Sequence, residues 1–210
     1  NSGNNYGVTF AAVGTGAITA KGLTVTGVTA GNKVYDGTTA ATLNTSGAAL
    51  SGVVTGDDLT LAVGGATGTF ADANVGTGKI VAVAGLTIGG TDSGNYTLTQ
   101  PTTTASVTLA PATVTLGNLI HVFDGTAKSA TASTSPSGLT VNLTYNGSTT
   151  APTETGAYTV VGTINDSNYQ GSATGTLHIT PAITSVAAPP NGSYRAGQAL
   201  NFTVTYSGNV

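Results

Sequence analysis

The residue types that most often carry out catalysis are scarce in this sequence. Its 210 residues include two histidines, His121 and His178, and no cysteine. Nucleophilic catalysis needs a nucleophile, a base and a group that orients the base. In the stretch TLHIT, alternation places His178 outward, and the sequence around His121 shows no pattern of carboxylate and nucleophile. The sequence therefore predicts no enzymatic activity, with no catalytic and no cofactor-binding residue.

Acidic residues could instead hold a structural cation. The candidates are Asp57, Asp58, Asp72, Asp92 and Asp166. Calcium takes six to eight oxygen ligands, usually from a spaced acidic series that ends in Glu. That series is missing, and turns closed by Asp side chains account for each residue. We predict no cofactor and no metal ligand, and a structural calcium ion remains the alternative.

An internal amide cross-link between a lysine and an asparagine is a further alternative. Lys33 lies near the start of one predicted domain and Asn95 lies near its last strands. Such a bond needs a desolvated amine. If Val34 faces the core, alternation turns Lys33 toward solvent, which argues against the reaction.

A pentapeptide occurs twice, as VYDGT at positions 34–38 and as VFDGT at positions 122–126. In such a turn the Asp side chain accepts a hydrogen bond from a backbone amide two residues on, and Gly supplies a positive φ. Because Tyr is exchanged for Phe, the ring body is predicted to pack and the hydroxyl is not required. The predicted structural turn residues are Tyr35, Asp36, Gly37, Phe123, Asp124 and Gly125.

An Asn-Tyr pair occurs three times, as Asn5-Tyr6, Asn95-Tyr96 and Asn168-Tyr169. A recurring tyrosine suits a structural anchor whose hydroxyl bonds to the backbone and pins a corner. The rival function is carbohydrate binding, which uses exposed aromatic rings with convergent polar groups. Buried and internally bonded hydroxyls would favour the scaffold, whereas aligned rings on one exposed face would favour sugar binding.

The composition predicts an all-β protein. The chain has 42 Thr and 31 Gly, and only 6% of its residues are charged. β-branched residues suit the pleated strand, and the 39% hydrophobic content is enough to build cores. A net charge of −3 without a basic cluster argues against nucleic acid as a partner. No apolar run approaches the roughly 20 residues that span a bilayer.

Apolar and polar residues alternate along short segments, as expected of half-buried strands. The segment LTVTGV places Leu23 and Val25 on one face, and NFTVTYS does the same for Phe202, Val204 and Tyr206. Short strands separated by Gly, Asn, Asp and Ser clusters predict sandwiches of two packed sheets. We therefore expect an all-β fold made of β-sandwiches.

Repeated junctions divide the chain into four predicted parts. The stretches GAITAKG, SVTLAPA and LHITPAI each close one strand series and open the next. Residues 1–20 are predicted to be the last strands of a preceding repeat, and residues 21–110 and 111–180 to be complete domains. Residues 181–210 are predicted to open a further repeat. Because partial repeats leave strand edges unpaired, strands donated by like chains in a fibre are a possible completion.

Two known families share these motifs. The stretch NKVYDGTTAATL with GLTIGGTDSGNYTLTQ resembles the YDG repeat of bacterial secreted adhesins, over about residues 21–110. Residues 111–180, from ATVTLGNLIHVFDGTAKS to GTLHIT, resemble the MBG module, a mostly bacterial immunoglobulin-like domain. The segment SYRAGQALNFTVTYSGNV is similar to the start of another immunoglobulin-like repeat. The resemblance implies an all-β fold of tandem immunoglobulin-like β-sandwich modules arranged end to end.

The resemblance implies a function for the segment. Such modules occur in long secreted or cell-surface proteins that resemble filamentous-haemagglutinin-type adhesins, where they form a stalk or filament. We therefore expect an extracellular, bacterial-surface segment whose partners are neighbouring modules of the same chain. A carbohydrate- or ligand-binding β-sandwich module is the alternative.

Overall fold

The regular secondary structure of the described residues consists almost entirely of short β-strands. The computed structural model describes Gly14 and residues 16–207, and within these residues it contains no α-helix. The first twelve strands are β1 Lys21–Thr26, β2 Thr29–Ala30, β3 Lys33–Val34, β4 Ala40–Ala41, β5 Leu43–Asn44, β6 Ala49–Ser51, β7 Thr60–Ala62, β8 Thr67–Phe70, β9 Gly76–Ala84, β10 Thr87–Gly89, β11 Tyr96–Leu98 and β12 Thr102–Thr108. A 3₁₀ turn at Ser93–Asn95 precedes β11.

The remaining strands lie in the second half of the chain. They are β13 Ala110–Pro111, β14 Thr113–Gly117, β15 Ile120–Val122, β16 Thr131–Ser135, β17 Val141–Tyr145, β18 Gly156–Ile164, β19 Tyr169–Gln170, β20 Ser172–Thr180, β21 Ile183–Ala187 and β22 Thr203–Tyr206. The all-β prediction is therefore confirmed, and the paired sheets are compatible with β-sandwich modules. Within the described residues, no helical segment has the length and hydropathy needed to cross a bilayer.

The described residues form two compact units. Unit 1 comprises Gly14 and residues 16–31, 39–71 and 79–105. Unit 2 comprises residues 32–38, 72–78 and 106–207. The predicted partial repeat at residues 1–20 lies largely outside the described residues, as does the Asn5-Tyr6 pair, and residues 16–20 form no strand.

Unit 1 is organised around β1. The first half of β1 pairs in parallel with β11, with Lys21 opposite Tyr96, and its second half pairs antiparallel with β6. Elsewhere in the unit, β8 pairs antiparallel with both β4 and β9. The alternation in LTVTGV is confirmed, because Leu23 and Val25 are buried. The buried residues of the main core cluster are Val25, Val28, Val83 and Leu86.

Unit 2 repeats the parallel and antiparallel pairing seen around β1. β13 pairs in parallel with β19, with Ala110 opposite Tyr169, and β14 pairs antiparallel with β16. A four-stranded sheet of the unit has the strand order β15-β20-β18-β17. Because apolar side chains alternate along its strands, one face of this sheet covers a core. The buried residues of that core are Ala130, Tyr145, Val160, Leu177 and Ile179.

The same strand order occurs twice in the chain. The five-stranded sheet in the first half of the chain has the order β3-β12-β9-β8-β4. Its first four strands correspond, in the same order, to the four strands of the sheet β15-β20-β18-β17. In each sheet, a short early strand pairs in parallel with the last long strand: Lys33 is opposite Val107, and Ile120 is opposite His178. Residues 21–110 and 111–180 therefore share one folding plan.

Two expectations about side-chain direction are wrong. Val34 is 51% exposed, while the Lys33 side chain is only 18% exposed, because β3 is two residues long and the Lys33 ammonium group folds back onto the following turn. Phe202, Val204 and Tyr206 are exposed, because β21 and β22 form a two-stranded ribbon in which every described residue is exposed.

Candidate functional site

The first duplicated segment forms a turn closed by its aspartate. The Asp36 Oδ1 atom accepts hydrogen bonds from the Thr38 amide at 2.9 Å and from the Thr38 hydroxyl at 2.8 Å. Gly37 has a φ of +76°, which disfavours residues with a Cβ atom. Asp and Gly therefore both shape the turn.

The second duplicated segment repeats this geometry. Asp124 Oδ1 accepts from the Thr126 amide at 2.9 Å and from the Thr126 hydroxyl at 2.5 Å. Gly125 also has a φ of +76°. The two segments therefore form one kind of turn, which we call the Asp-Gly-Thr turn.

A lysine completes each Asp-Gly-Thr turn. Lys33 Nζ donates to Asp36 Oδ1 at 2.7 Å and to the Thr38 carbonyl at 2.8 Å. In the second turn, Lys128 Nζ donates to Asp124 Oδ2 at 2.5 Å. The sequence did not reveal Lys128 as a partner of the turn, because it lies four residues after its aspartate, whereas Lys33 lies three residues before Asp36.

These lysines change the acidity of the turn carboxylates. The hydrogen bond from Lys33, together with those from Thr38, lowers the pKa of Asp36 to about 2. The hydrogen bond from Lys128 holds the pKa of Asp124 well below its usual range. Hydrogen bonds to the charged form of a carboxylate favour that form. Both turns therefore carry a fixed negative charge that is neutralised locally.

Each turn begins where a short strand meets the last long strand of its sheet. The Tyr35 amide donates to the Thr108 carbonyl at 2.9 Å, and the Phe123 amide donates to the Thr180 carbonyl at 2.9 Å. The duplicated aromatic residue therefore extends the parallel pairing by one hydrogen bond before the chain turns away.

The two aromatic rings have different neighbours. Phe123 packs against the core cluster of unit 2, in which Leu177 is buried. The ring of Tyr35 lies edge-on to that of Tyr169, with centroids 5.4 Å apart and an angle of 80° between the planes. Aromatic pairs favour such edge-to-face contacts.

Tyr96 anchors a corner of unit 1. It is buried, and its hydroxyl donates to Asp57 Oδ2 at 2.5 Å while accepting from the Val54 amide at 3.1 Å. The hydrogen bond to the Asp57 carboxylate raises the pKa of Tyr96. Its hydroxyl thus joins β11 to a loop distant in sequence.

Asn168 occupies the equivalent pair in unit 2 and makes a different contact. Its Oδ1 atom accepts from the Val75 amide at 3.0 Å, and its Nδ2 atom donates to Asn74 Oδ1 at 3.2 Å. Together with the Tyr35–Tyr169 ring contact, these bonds form what we call the Asn168 cluster: Tyr35, Asn74, Val75, Asn168 and Tyr169. All five residues belong to unit 2.

Asp166 fixes the backbone of the Asn168 cluster. Asp166 Oδ1 accepts from the amides of Asn168 at 2.7 Å and Tyr169 at 3.1 Å. On the opposite side, Asp72 Oδ1 accepts from the Asn74 amide at 2.8 Å. Two turns closed by Asp side chains therefore face each other across the asparagine pair.

The remaining acidic residues and both histidines also contact the backbone or solvent. Asp92 Oδ2 accepts from the Asp58 amide at 2.8 Å, His121 Nε2 lies 3.0 Å from the Asn118 carbonyl oxygen, and His178 is exposed. Within Gly14 and residues 16–207, no group of three or more His, Asp or Glu side chains could hold a metal ion. Asp58 and Asp92 therefore join two loops that are distant in sequence, and the expectation that each of these aspartates closes its own turn is wrong for them.

Unit 2 also has two surface grooves. One, of about 620 Å³, is mainly apolar and includes Val34, Val107 and Pro111. The other, of about 430 Å³, is bordered by Tyr158, Asn146 and other polar residues of the loop that precedes β18.

The fold and the repeated turns identify two β-rich domains in this chain that share the same strand order. Residues 19–105 match the model of the YDG domain, and residues 112–183 match the model of the MBG domain. The chain therefore contains a YDG domain followed by an MBG domain. No curated protein matches the chain. No solved structure matches it either.

The residues of the Asn168 cluster come from both matched domains. Tyr35, Asn74 and Val75 fall in the YDG domain, and Asn168 and Tyr169 fall in the MBG domain. The duplicated turn of one domain and the Asn-Tyr pair of the next thus meet within unit 2.

Proposed function

We propose that this chain is a structural stalk or filament segment of a bacterial extracellular adhesin or surface fibre, without a catalytic role. The observation that carries the proposal is the parallel pairing of an early strand with the last strand in each domain. Neighbouring domains of the same long chain are the partners that this role requires.

Parallel pairing of early and late strands suits a load-bearing role. A pull on the two ends of a domain slides such strands past each other, so that the evenly spaced hydrogen bonds are loaded together. A hairpin pulled open from one end would instead lose its bonds one after another. In the MBG domain this pairing spans Ile120–Val122 with His178–Thr180 and continues with the Phe123 amide.

The side-chain contacts support the same role. The hydroxyl of Tyr145 is buried and accepts from the Ala130 amide at 3.0 Å, and that of Tyr96 holds a corner of unit 1. Both tyrosine hydroxyls serve internal contacts. The YDG and MBG domains are themselves β-rich, and we place the chain outside the bacterial cell, as expected of such modules.

Force spectroscopy on the whole chain tests the proposal. His121→Pro removes one amide donor from β15, whereas His121→Ala keeps the amide and removes only the side chain. We expect the unfolding force of the MBG domain to fall in His121→Pro and to stay near the wild-type value in His121→Ala. Equal forces in all three chains would contradict the proposed load-bearing pairing.

A second candidate function rests on the groove bordered by Tyr158 and Asn146. Its wall includes Glu154, whose carbonyl oxygen accepts from the Tyr158 hydroxyl at 3.0 Å. An aromatic ring beside amide, hydroxyl and carboxylate groups is suited to a saccharide. Calorimetric titration with a panel of oligosaccharides should then show binding that Tyr158→Ala abolishes. Binding that survives Tyr158→Ala, or none at all, would rule this groove out.

A further inference from the structure

The Asn168 cluster shows how one β-domain of this chain contacts the next. Asn168 uses both ends of its side-chain amide, accepting from the Val75 amide and donating to Asn74. Beside it, Tyr169 meets the ring of Tyr35. Both motifs that recur in the sequence are therefore used in a single contact.

Strand register identifies the equivalent position in the YDG domain. Tyr96 lies opposite Lys21 where β11 runs parallel to β1, as Tyr169 lies opposite Ala110 where β19 runs parallel to β13. Asn95 therefore corresponds to Asn168. Residues 18–20 correspond by the same register to residues 107–109.

The surroundings of Asn95 and Asn168 differ in solvent exposure. Val107 is 2% exposed, whereas the corresponding Ile18 is fully exposed. Asn95 is exposed, and its side-chain amide makes no hydrogen bond to any residue among those that the structure describes. Together with Gly94, it borders a groove of about 190 Å³ whose other wall is Ile18, Thr19 and Ala20. An apolar side chain and an amide are thus uncovered here, whereas the equivalent Val107 and Asn168 are covered or hydrogen-bonded.

We infer that Asn95 is the docking site for a preceding YDG domain, of which residues 18–20 are the last residues. The partner presents a Tyr-Asp-Gly-Thr turn and a loop equivalent to Asp72–Val75. The Asn95 carbonyl accepts the backbone amide equivalent to that of Val75, its NH₂ group donates to the partner asparagine, and Ile18 is buried. The inference rests on the proposed function only in that both require domains in tandem.

The test adds one copy of residues 21–106 directly ahead of Ile18, in place of residues 1–17, so that residues 18–20 stay in the chain. Amide hydrogen exchange is then followed by NMR with the added copy labelled separately. The resident Val75 amide is the internal reference, since Asn168→Ala should speed its exchange about fivefold, the factor expected from losing one hydrogen bond.

The inference predicts that the Val75 amide of the added copy exchanges as slowly as the resident one. Asn95→Ala should then speed exchange of the added amide about fivefold. Asn142→Ala, at an exposed asparagine of β17, should leave it unchanged. Protection of the resident amide with fast exchange of the added amide would overturn the inference. That result would not affect the proposed load-bearing function, because the unfolding force of a domain depends on strand pairing inside it.

Discussion

Tyr35 of the YDG domain and Phe123 of the MBG domain occupy equivalent places. Each amide donates to the last strand of its sheet, and each residue is followed by an Asp-Gly-Thr turn. The two rings differ in their contacts, because Phe123 packs against the core of its own domain and Tyr35 contacts Tyr169. The comparison teaches that the duplicated segment specifies a backbone corner, while the ring is free to serve a core or a neighbouring domain.

The lysines that contact the two turns also differ in position. Lys33 lies three residues before Asp36, whereas Lys128 lies four residues after Asp124, and each ammonium group contacts the carboxylate of its turn. An ammonium group on a flexible stem can approach from either side. The turn therefore fixes the place of the charge partner and leaves its position in the sequence open.

The largest expected effect concerns a core position that the two domains fill differently. The Tyr35 amide bonds to Thr108 and the Phe123 amide bonds to Thr180, so Thr108 and Thr180 are equivalent positions in the two domains. Three residues earlier in each strand, Ala105 is therefore equivalent to Leu177. Leu177 is fully buried, so Leu177→Ala should lower the free energy of unfolding of the MBG domain by about 2–5 kcal/mol. Urea unfolding followed by NMR measures it.

The reverse change is the matched control. Ala105 is also buried, and Ala105→Leu should overpack the YDG domain and cost about 1–3 kcal/mol. A stabilising effect of Ala105→Leu would mean that the two cores are not aligned in this way.

The next effect separates the two tyrosines of the Asn-Tyr pairs. Tyr96→Phe removes a hydroxyl that bonds to Asp57 and Val54, and should cost about 1–2 kcal/mol of unfolding free energy. Tyr169→Phe keeps the ring contact with Tyr35 and should change stability by less than about 0.5 kcal/mol. Equal losses in urea unfolding would refute this division of roles.

The turn glycines should behave alike. Gly37→Ala and Gly125→Ala each place a Cβ atom at a φ of +76°, which costs about 1 kcal/mol in the left-handed region. An added Cβ has open space at Gly125, so the loss there is purely conformational. Thermal unfolding measures both, and a markedly larger loss at one site would show that the turns are not equivalent.

The smallest effect is a shift in acidity. Because the pKa of Asp36 is lowered in the folded state, its ion pair contributes stability above about pH 4, and that contribution is lost as the pH falls toward about 2. Lys33→Gln should raise the pKa of Asp36 toward its ordinary value of 3.8. Carbon-detected NMR titration of the carboxyl group measures this shift, and Lys21→Gln is the control.

Sequence reasoning reached the fold class because its signals are local. Alternation buries Leu23 and Val25, and the need for a positive φ explains the turn glycines. It misjudged Lys33 because a two-residue strand at a sheet edge has too little pairing to set side-chain direction. It could not foresee the Tyr35–Tyr169 contact, since partners in different domains leave no periodic signal.

The central claim is that each Asp-Gly-Thr turn ends a strand paired in parallel with the last strand of its sheet. Scalar couplings across hydrogen bonds, measured by NMR on the whole chain, test it directly. We predict couplings from the Tyr35 amide nitrogen to the Thr108 carbonyl carbon and from the Phe123 amide nitrogen to the Thr180 carbonyl carbon. Absence of either coupling, or coupling of either amide to a different carbonyl, would contradict the claim.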